Sequence, residues 1–80
     1  MSTFKKGKYR NYKNNIYEVI DICLHTEQRE KLVLYRACYD CGDLKYEYGE
    51  DPLFVRPYNM FFETVIVDGV EKPRFEYIGD

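Results

Sequence analysis

The sequence predicts a mainly antiparallel β fold: a small barrel of five or six short strands. Three observations predict it. Nine Tyr and five Phe stand among 80 residues with no Trp, and such rings favour half-buried pleated surfaces. Apolar residues recur in short runs separated by Asn, Asp, Gly and Pro, the punctuation of strands joined by turns. The second of those runs changes phase midway, the mark of a bulged strand that serves two sides of a small barrel.

The elements follow in order. Eighty residues allow one domain, and a chain this short buries only about 60–65% of its unfolded surface. Residues 1–6 read as a frayed terminus. Gly7 to Tyr12 is a first strand, and Lys13-Asn14-Asn15 a turn, because Asn tolerates left-handed φ and bonds its own backbone. Ile16 to Leu24 is the second strand. Tyr17 and Val19 share one face, whereas Ile20, Ile22 and Leu24 form the other series, so a bulge is expected between them. His25 to Lys31 is a hairpin loop, taken as centred on Gln28, and Leu32 to Tyr39 is the third strand.

Asp40 to Pro52 is the longest irregular segment, with residues 44–48 either a turn of helix or an edge strand. The run Phe54 to Val65 is the densest apolar and aromatic stretch. Pro57 lacks a donor and fixes φ, so a strand ends at Arg56. Pro57 to Met60 then suits a single helical or 3-10 turn with Pro at its first position. A further strand is expected from Phe61 to Val67, which places Phe61, Glu63, Val65 and Val67 on one face. Asp68-Gly69 is a tight-turn signal, and Arg74 to Ile78 makes the last strand.

Net charge is −2 and the pI is near 5.4, which gives no general case for nucleic acid. The distribution is uneven. Residues 1–15 hold five basic groups and no acid. Lys5 to Lys13, with Tyr9 and Tyr12 interleaved, has the composition of a strand-stacking, phosphate-neutralising segment, although a charged terminus is more often simply solvated. No run approaches the roughly 18 apolar residues of a membrane span, and no apolar leader follows the Lys-rich start. A cytoplasmic location is expected, with three reduced cysteines.

Cys38-Tyr39-Asp40-Cys41 has C-x-x-C spacing, but Gly42 and Asp43 follow where a redox motif needs a helix. A zinc site would recruit Cys23 and His25. On the expected ladder Cys23 and Cys38 are roughly 16 Å apart at about 3.3 Å per residue, against about 2.3 Å from sulfur to zinc. No metal and no cofactor is expected.

Six side chains remain for chemistry. His25 with Glu27 stands at a strand end. Arg36, Arg56 and Arg74 sit in apolar strands, where each is either an ion-pair partner of Glu18, Asp21 or Glu63 or part of an anion pocket, since the guanidinium fork binds carboxylate or phosphate. Glu63 shares a face with apolar residues and needs a partner. Arg56 is the expected one.

The chain also resembles the short bacterial proteins of the domain of unknown function family number 1653. The matching residues run in order over nearly the whole chain: Gly7-Lys8-Tyr9-Arg10; Tyr12-Lys13, Asn15 and Tyr17; His25-Thr26-Glu27; Val33-Leu34-Tyr35-Arg36; Phe54-Val55-Arg56-Pro57 with Met60-Phe61 and Glu63; Val67-Asp68-Gly69; and Pro73-Arg74-Phe75. Family members often carry Trp where this chain has Phe54. The resemblance implies an Src-homology-3-like small barrel and no established activity. It adds weight to His25, Arg36, Arg56 and Glu63.

The expectation is therefore a non-catalytic binding module, with His25, Glu27, Tyr35, Arg36, Arg56, Glu63 and Arg74 around one concave surface. Its ligand would be a small anion, a nucleotide-like molecule or an acidic peptide segment, without a membrane partner. Two other readings stand beside it. One is an enzyme with His25 and Glu63 as acid–base pair, which lacks a nucleophile and a metal set. The other is nucleic-acid binding through Lys5 to Lys13.

Overall fold

The structure is a computed structural model, and it describes residues 4–49 and 51–79. The expected frayed terminus lies partly outside them, in residues 1–3. Seven strands and two short helices are described, in the order β1 (Gly7–Asn11), β2 (Ile16–His25), β3 (Glu30–Ala37), α1 (Leu44–Tyr48), β4 (Leu53–Pro57), α2 (Tyr58–Phe61), β5 (Thr64–Val67), β6 (Val70–Pro73) and β7 (Phe75–Gly79). All pairings are antiparallel. The fold is mainly β, as the rings and the alternation predict.

The strands form a five-stranded sheet in the order β4-β3-β2-β1-β7 and a separate β5-β6 hairpin. Among the described residues the ladder is open, with β4 and β7 as its edges. Two irregularities bend it. One falls between Val19 and Asp21 in β2, where the phase of the sequence changes. The other falls between Lys8 and Tyr9 in the β1–β7 ladder. Each extra residue adds local twist and turns side chains across the sheet.

The β1–β2 turn owes its shape to Asn11. Its Oδ1 accepts from the backbone N–H groups of Lys13 at 3.0 Å and Asn15 at 2.9 Å. Asn14 takes the positive φ of 72°, which Asn tolerates better than other side chains. At the other end of the chain Asp68 and Gly69 both have positive φ, 53° and 77°. That is the two-residue hairpin turn whose twist matches the strands it joins.

One face of the bent sheet carries Tyr9, Tyr17, Val19, Val33, Tyr35, Ala37 and Phe75, and α2 closes over it with Phe61. Phe61 and Val33 are fully buried. The Phe61 and Phe75 rings stack at 4.1 Å with 2° between planes, while Tyr9 and Tyr35 meet Phe61 edge-on at 5.4 Å. Full burial of such a ring contributes about 1.5–3 kcal/mol, so α2 is held by packing rather than by its four residues' helical propensity.

Three expectations are corrected here. Phe61 is not the start of a strand: it ends α2, and β5 begins only at Thr64. The alternation that put Phe61 and Glu63 on one face therefore does not exist. Pro57 is the residue before the helix, with φ −53° and ψ 136°, so the turn starts one residue later than expected. The β2–β3 hairpin is centred between Glu27 and Gln28, because Leu24 pairs with Lys31 and Cys23 with Leu32. Cys38 lies beyond β3, its N–H donating to the Ile16 carbonyl at 2.9 Å. Residues 44–48 are helix, not an edge strand.

Candidate functional site

Strand register decides which of the seven expected site residues meet. Paired residues of neighbouring strands share a face. Arg56 pairs with Val33 and Phe54 with Tyr35, so Arg56 and Tyr35 lie on the core face. Arg36 pairs with Glu18 and with Leu53, on the opposite face. His25 pairs with Glu30, six residues from Arg36 along β3, which is roughly 20 Å at about 3.3 Å per residue. His25 and Arg36 therefore do not converge on one small anion.

His25, Glu27 and Arg36 each have a partner elsewhere. The His25 Nδ1 accepts from the Gln28 backbone N–H at 3.2 Å, closing the hairpin loop. Glu27 accepts from the Thr26 hydroxyl at 3.1 Å on an exposed turn. Arg36 donates through Nε to Glu18 at 2.8 Å and lies 3.8 Å from Asp51. The Glu18 carboxylate raises the pKa of this guanidinium.

The expected pair of Arg56 and Glu63 is not formed. Glu63 is taken by Arg74, whose Nε and Nη2 reach Oε1 at 3.0 and 2.8 Å. The reason is backbone geometry. The Arg74 N–H donates to the Glu63 carbonyl at 2.9 Å, extending the β5–β6 pairing by one step and setting the two side chains side by side. Arg74 in turn accepts from the Tyr12 N–H at 3.0 Å, so this one residue ties the β5–β6 hairpin to the β1–β2 turn.

Among the described residues no carboxylate pairs with Arg56, which lies on the core face. Its guanidinium carbon sits 5.7 Å from the centre of the Phe75 ring. Its Nε is buried and has no hydrogen-bond acceptor. It borders a cavity of about 280 Å³ that also takes in Arg74, Tyr17, Tyr35, Tyr39 and Phe75, with Asn11 to Lys13 and Asn15 at its rim. Three of the expected site residues, Tyr35, Arg56 and Arg74, meet here, and Glu63 braces the third.

The wall of this cavity is tyrosine. Tyr17 and Tyr39 share a hydroxyl–hydroxyl hydrogen bond of 3.0 Å, and Asn11 Nδ2 donates to the Tyr17 hydroxyl at 3.4 Å. Burial, reinforced by the Tyr39 hydroxyl, pushes the Tyr17 phenol well above the ordinary tyrosine range. Tyr17 therefore stays a neutral donor and acceptor throughout the physiological range. The sequence places a turn at Lys13 to Asn15 and Tyr17 on a strand face, but it gives neither of them, nor Tyr39, a part in the site. The signal that pointed to them was the surplus of Tyr, the one aromatic that brings a hydroxyl into a packed wall.

The cysteines are free, Cys38 exposed and the other two half-buried. Among the described residues no three His, Cys, Asp or Glu side chains are grouped to hold a metal ion, and no helix is long and apolar enough to cross a membrane.

Comparison with known proteins agrees with this architecture. The profile of the family described as protein of unknown function (DUF1653) matches residues 7–77. The crystal structure of a protein belonging to that family, from Bordetella bronchiseptica, is similar with a TM-score of 0.83 and 30% sequence identity, over 96% of this chain and 90% of that one. No curated protein matches. With a family profile spanning nearly all of the chain and a solved member sharing its fold, the protein belongs to the DUF1653 family.

Proposed function

We propose that the protein is a non-catalytic binding module whose ligand places an anionic group beside Arg56 in the tyrosine-walled cavity. The observation that carries this reading is the buried, unpartnered Nε of Arg56. Leaving this one donor desolvated without an acceptor costs about 1–3 kcal/mol. An arriving carboxylate or phosphate removes that cost, and gains a charge-assisted hydrogen bond in doing so. The Phe75 ring behind the guanidinium and the Arg74–Glu63 brace beside it hold the donor in place before the ligand arrives, which lowers the ordering cost of binding.

The Src-homology-3-like character belongs to this reading: two ladder irregularities curl the five strands around α2, leaving a barrel open at β4 and β7. So does a reducing cytoplasmic setting, in keeping with three free cysteines. The acid–base alternative has less support. Among the described residues no hydrogen bond or ion pair joins His25 to Glu63, and each is held by a different partner.

Thermal unfolding in the presence of inorganic phosphate, sulfate, citrate and a nucleoside monophosphate tests the proposal. A ligand at one hundred times its Kd stabilises the native state by about 2.7 kcal/mol. At least one of these anions should raise the melting temperature of the wild type, and Arg56→Met should abolish that shift. If none raises it up to tens of millimolar, with the fold intact, the reading fails.

A further inference from the structure

We infer that the Arg56 cavity is one half of a two-part groove that holds a nucleotide unit with a phosphate on either side of it. The inference rests on the anion-binding reading above and names its ligand class. A second cavity, of about 410 Å³, adjoins the first and shares Asn11 and Tyr12 with it as a common wall. Arg10, Asn14, Lys72 and Glu76 line its far side. The two cavities together gather five cations, Arg10, Lys13, Arg56, Lys72 and Arg74. Among the described residues only Arg74 is engaged by a carboxylate. Arg10 faces Glu76 across the β1–β7 ladder on the outer face of the sheet, so the groove passes round the β1–β2 turn from the core face, and among the described residues no ion pair joins the two. The acidic composition of the whole chain is thus reversed at this place, where Arg10 and Lys13 of the acid-free first fifteen residues lie.

The shared wall is built for contact. Asn11 holds the turn through two backbone hydrogen bonds to its side chain, and the Tyr12 backbone is fixed to the Arg74 carbonyl at 3.0 Å. The Tyr12 ring is 38% exposed. The Lys13 ammonium and the Arg74 guanidinium each lie 5.8 Å from its centre. The ring lies on the wall that the two cavities share. Lys13 and Arg74 on the first cavity and Arg10 and Lys72 on the second flank this exposed ring, an arrangement that suits a base laid against it with phosphates reaching into either cavity. Glu76 accepts no phosphate but can take a hydrogen bond from a ribose hydroxyl or an exocyclic amine. A simple dicarboxylate would use the cations and leave the ring uncovered. The Tyr9 ring, expected to stack alongside Tyr12, is 3% exposed in the core, so one base and not a run of bases is accommodated.

The probes are inorganic phosphate, uridine 5′-monophosphate, uridine 3′,5′-bisphosphate and an oligouridylate hexamer, titrated into the full chain by calorimetry. The bisphosphate is expected to bind at least about tenfold more tightly than the monophosphate, the size of one added charge-assisted contact. Arg10→Gln with Lys72→Gln, both on the surface, should erase that tenfold. Arg56→Met should weaken every probe. The logarithm of affinity should fall with the logarithm of salt at a slope of roughly −1.4 for two phosphates, against about −0.7 for one. Bisphosphate and hexamer binding alike would support the inference of a single nucleotide unit, and hexamer binding much tighter than the bisphosphate's, which needs a run of bases, would overturn it. Equal binding of monophosphate and bisphosphate, or a tenfold difference that survives the Arg10/Lys72 double substitution, overturns it while the anion site stands. Tighter competition by a polyglutamate peptide than by any nucleotide also overturns it. No binding of any probe removes the anion site and the groove together.

Discussion

Arg74 and Glu63 meet twice, once through their side chains at 2.8–3.0 Å and once through the Arg74 N–H and the Glu63 carbonyl at 2.9 Å. The backbone contact fixes the partners, and the charges follow. This explains why Arg56, closer in sequence to Glu63, is not its partner. A double-mutant cycle with Arg74→Met and Glu63→Gln, read by urea denaturation, should give a coupling of about 0.5–1 kcal/mol, since both side chains are partly solvated. The corresponding cycle with Arg56→Met should give less than about 0.3–0.5 kcal/mol, as for residues that do not interact.

Arg56 itself should behave as a strained donor. Replacing it with Met keeps the apolar stem and removes the unsatisfied Nε, at the cost of the guanidinium's contact with the Phe75 ring. Arg56→Met is expected to leave stability unchanged or to raise it by about 1 kcal/mol, measured as a shift in the urea midpoint without ligand. A loss above about 2 kcal/mol would mean that the guanidinium has a structural partner.

Phe61 is the plug of the core, fully buried and stacked on Phe75. Phe61→Ala should cost about 3–5 kcal/mol, a large share of the stability of a domain this size. The expected result is loss of the cooperative thermal transition, or a melting temperature lowered by tens of degrees. A variant that melts within a few degrees of the wild type would show that α2 is not needed to close the sheet.

Tyr17 predicts an alkaline limit. Its folded-state pKa is raised by burial, so the stability tied to its neutral phenol is fully present below the unfolded value of about 10. That stability is lost as pH rises from there toward the folded value. For one such group the loss is about 1.4 kcal/mol per pH unit. Tyr9, raised by the same cause, adds to it in the same direction. Chemical denaturation at pH 8, 10 and 11 should show Tyr17→Phe losing less stability than the wild type over that range. Equal losses would place the alkaline sensitivity elsewhere.

The Asp68–Gly69 turn holds two consecutive left-handed residues. Gly69→Ala has open space around a new Cβ but keeps φ at 77°, so the cost is conformational, about 1–2 kcal/mol. Asp68→Asn should be neutral or slightly stabilising, because Asn tolerates this region well. Both effects should appear first in amide exchange of β5 and β6, which among the described residues form a two-stranded sheet of their own.

The sequence by itself determined the kinds of element and most of their borders. Period-2 alternation, the Asn-rich and Asp-Gly turns and the phase change at Ile20 are local signals, and each is realised where it stands. Antiparallel β structure followed from them, as did a helical turn after Pro57. The basic character of the first fifteen residues was also legible, and it is what charges the groove beside the β1–β2 turn. The same local reasoning failed at Phe61. A ring after a helical turn reads equally well as the next strand, and only the empty centre of the bent sheet selects the helix that fills it.

The tertiary structure alone decided which charges meet. Register moves a side chain to the other face with every single residue, and the bulge after Val19 shifts the β2–β3 pairing by one. Arg36 is thereby set opposite Glu18 on the outer face, six residues along from His25's partner, Glu30, and out of reach of Arg56. Glu63 meets Arg74 because the β5–β6 hairpin folds back on itself, a contact spanning eleven residues of sequence. The tyrosine cavity is assembled from β1, β2, β3, β4 and the start of β7. No stretch of the chain contains it, because long-range pairing is set by the sum of sheet register, ring packing and bends, and none of those is a property of neighbours in sequence.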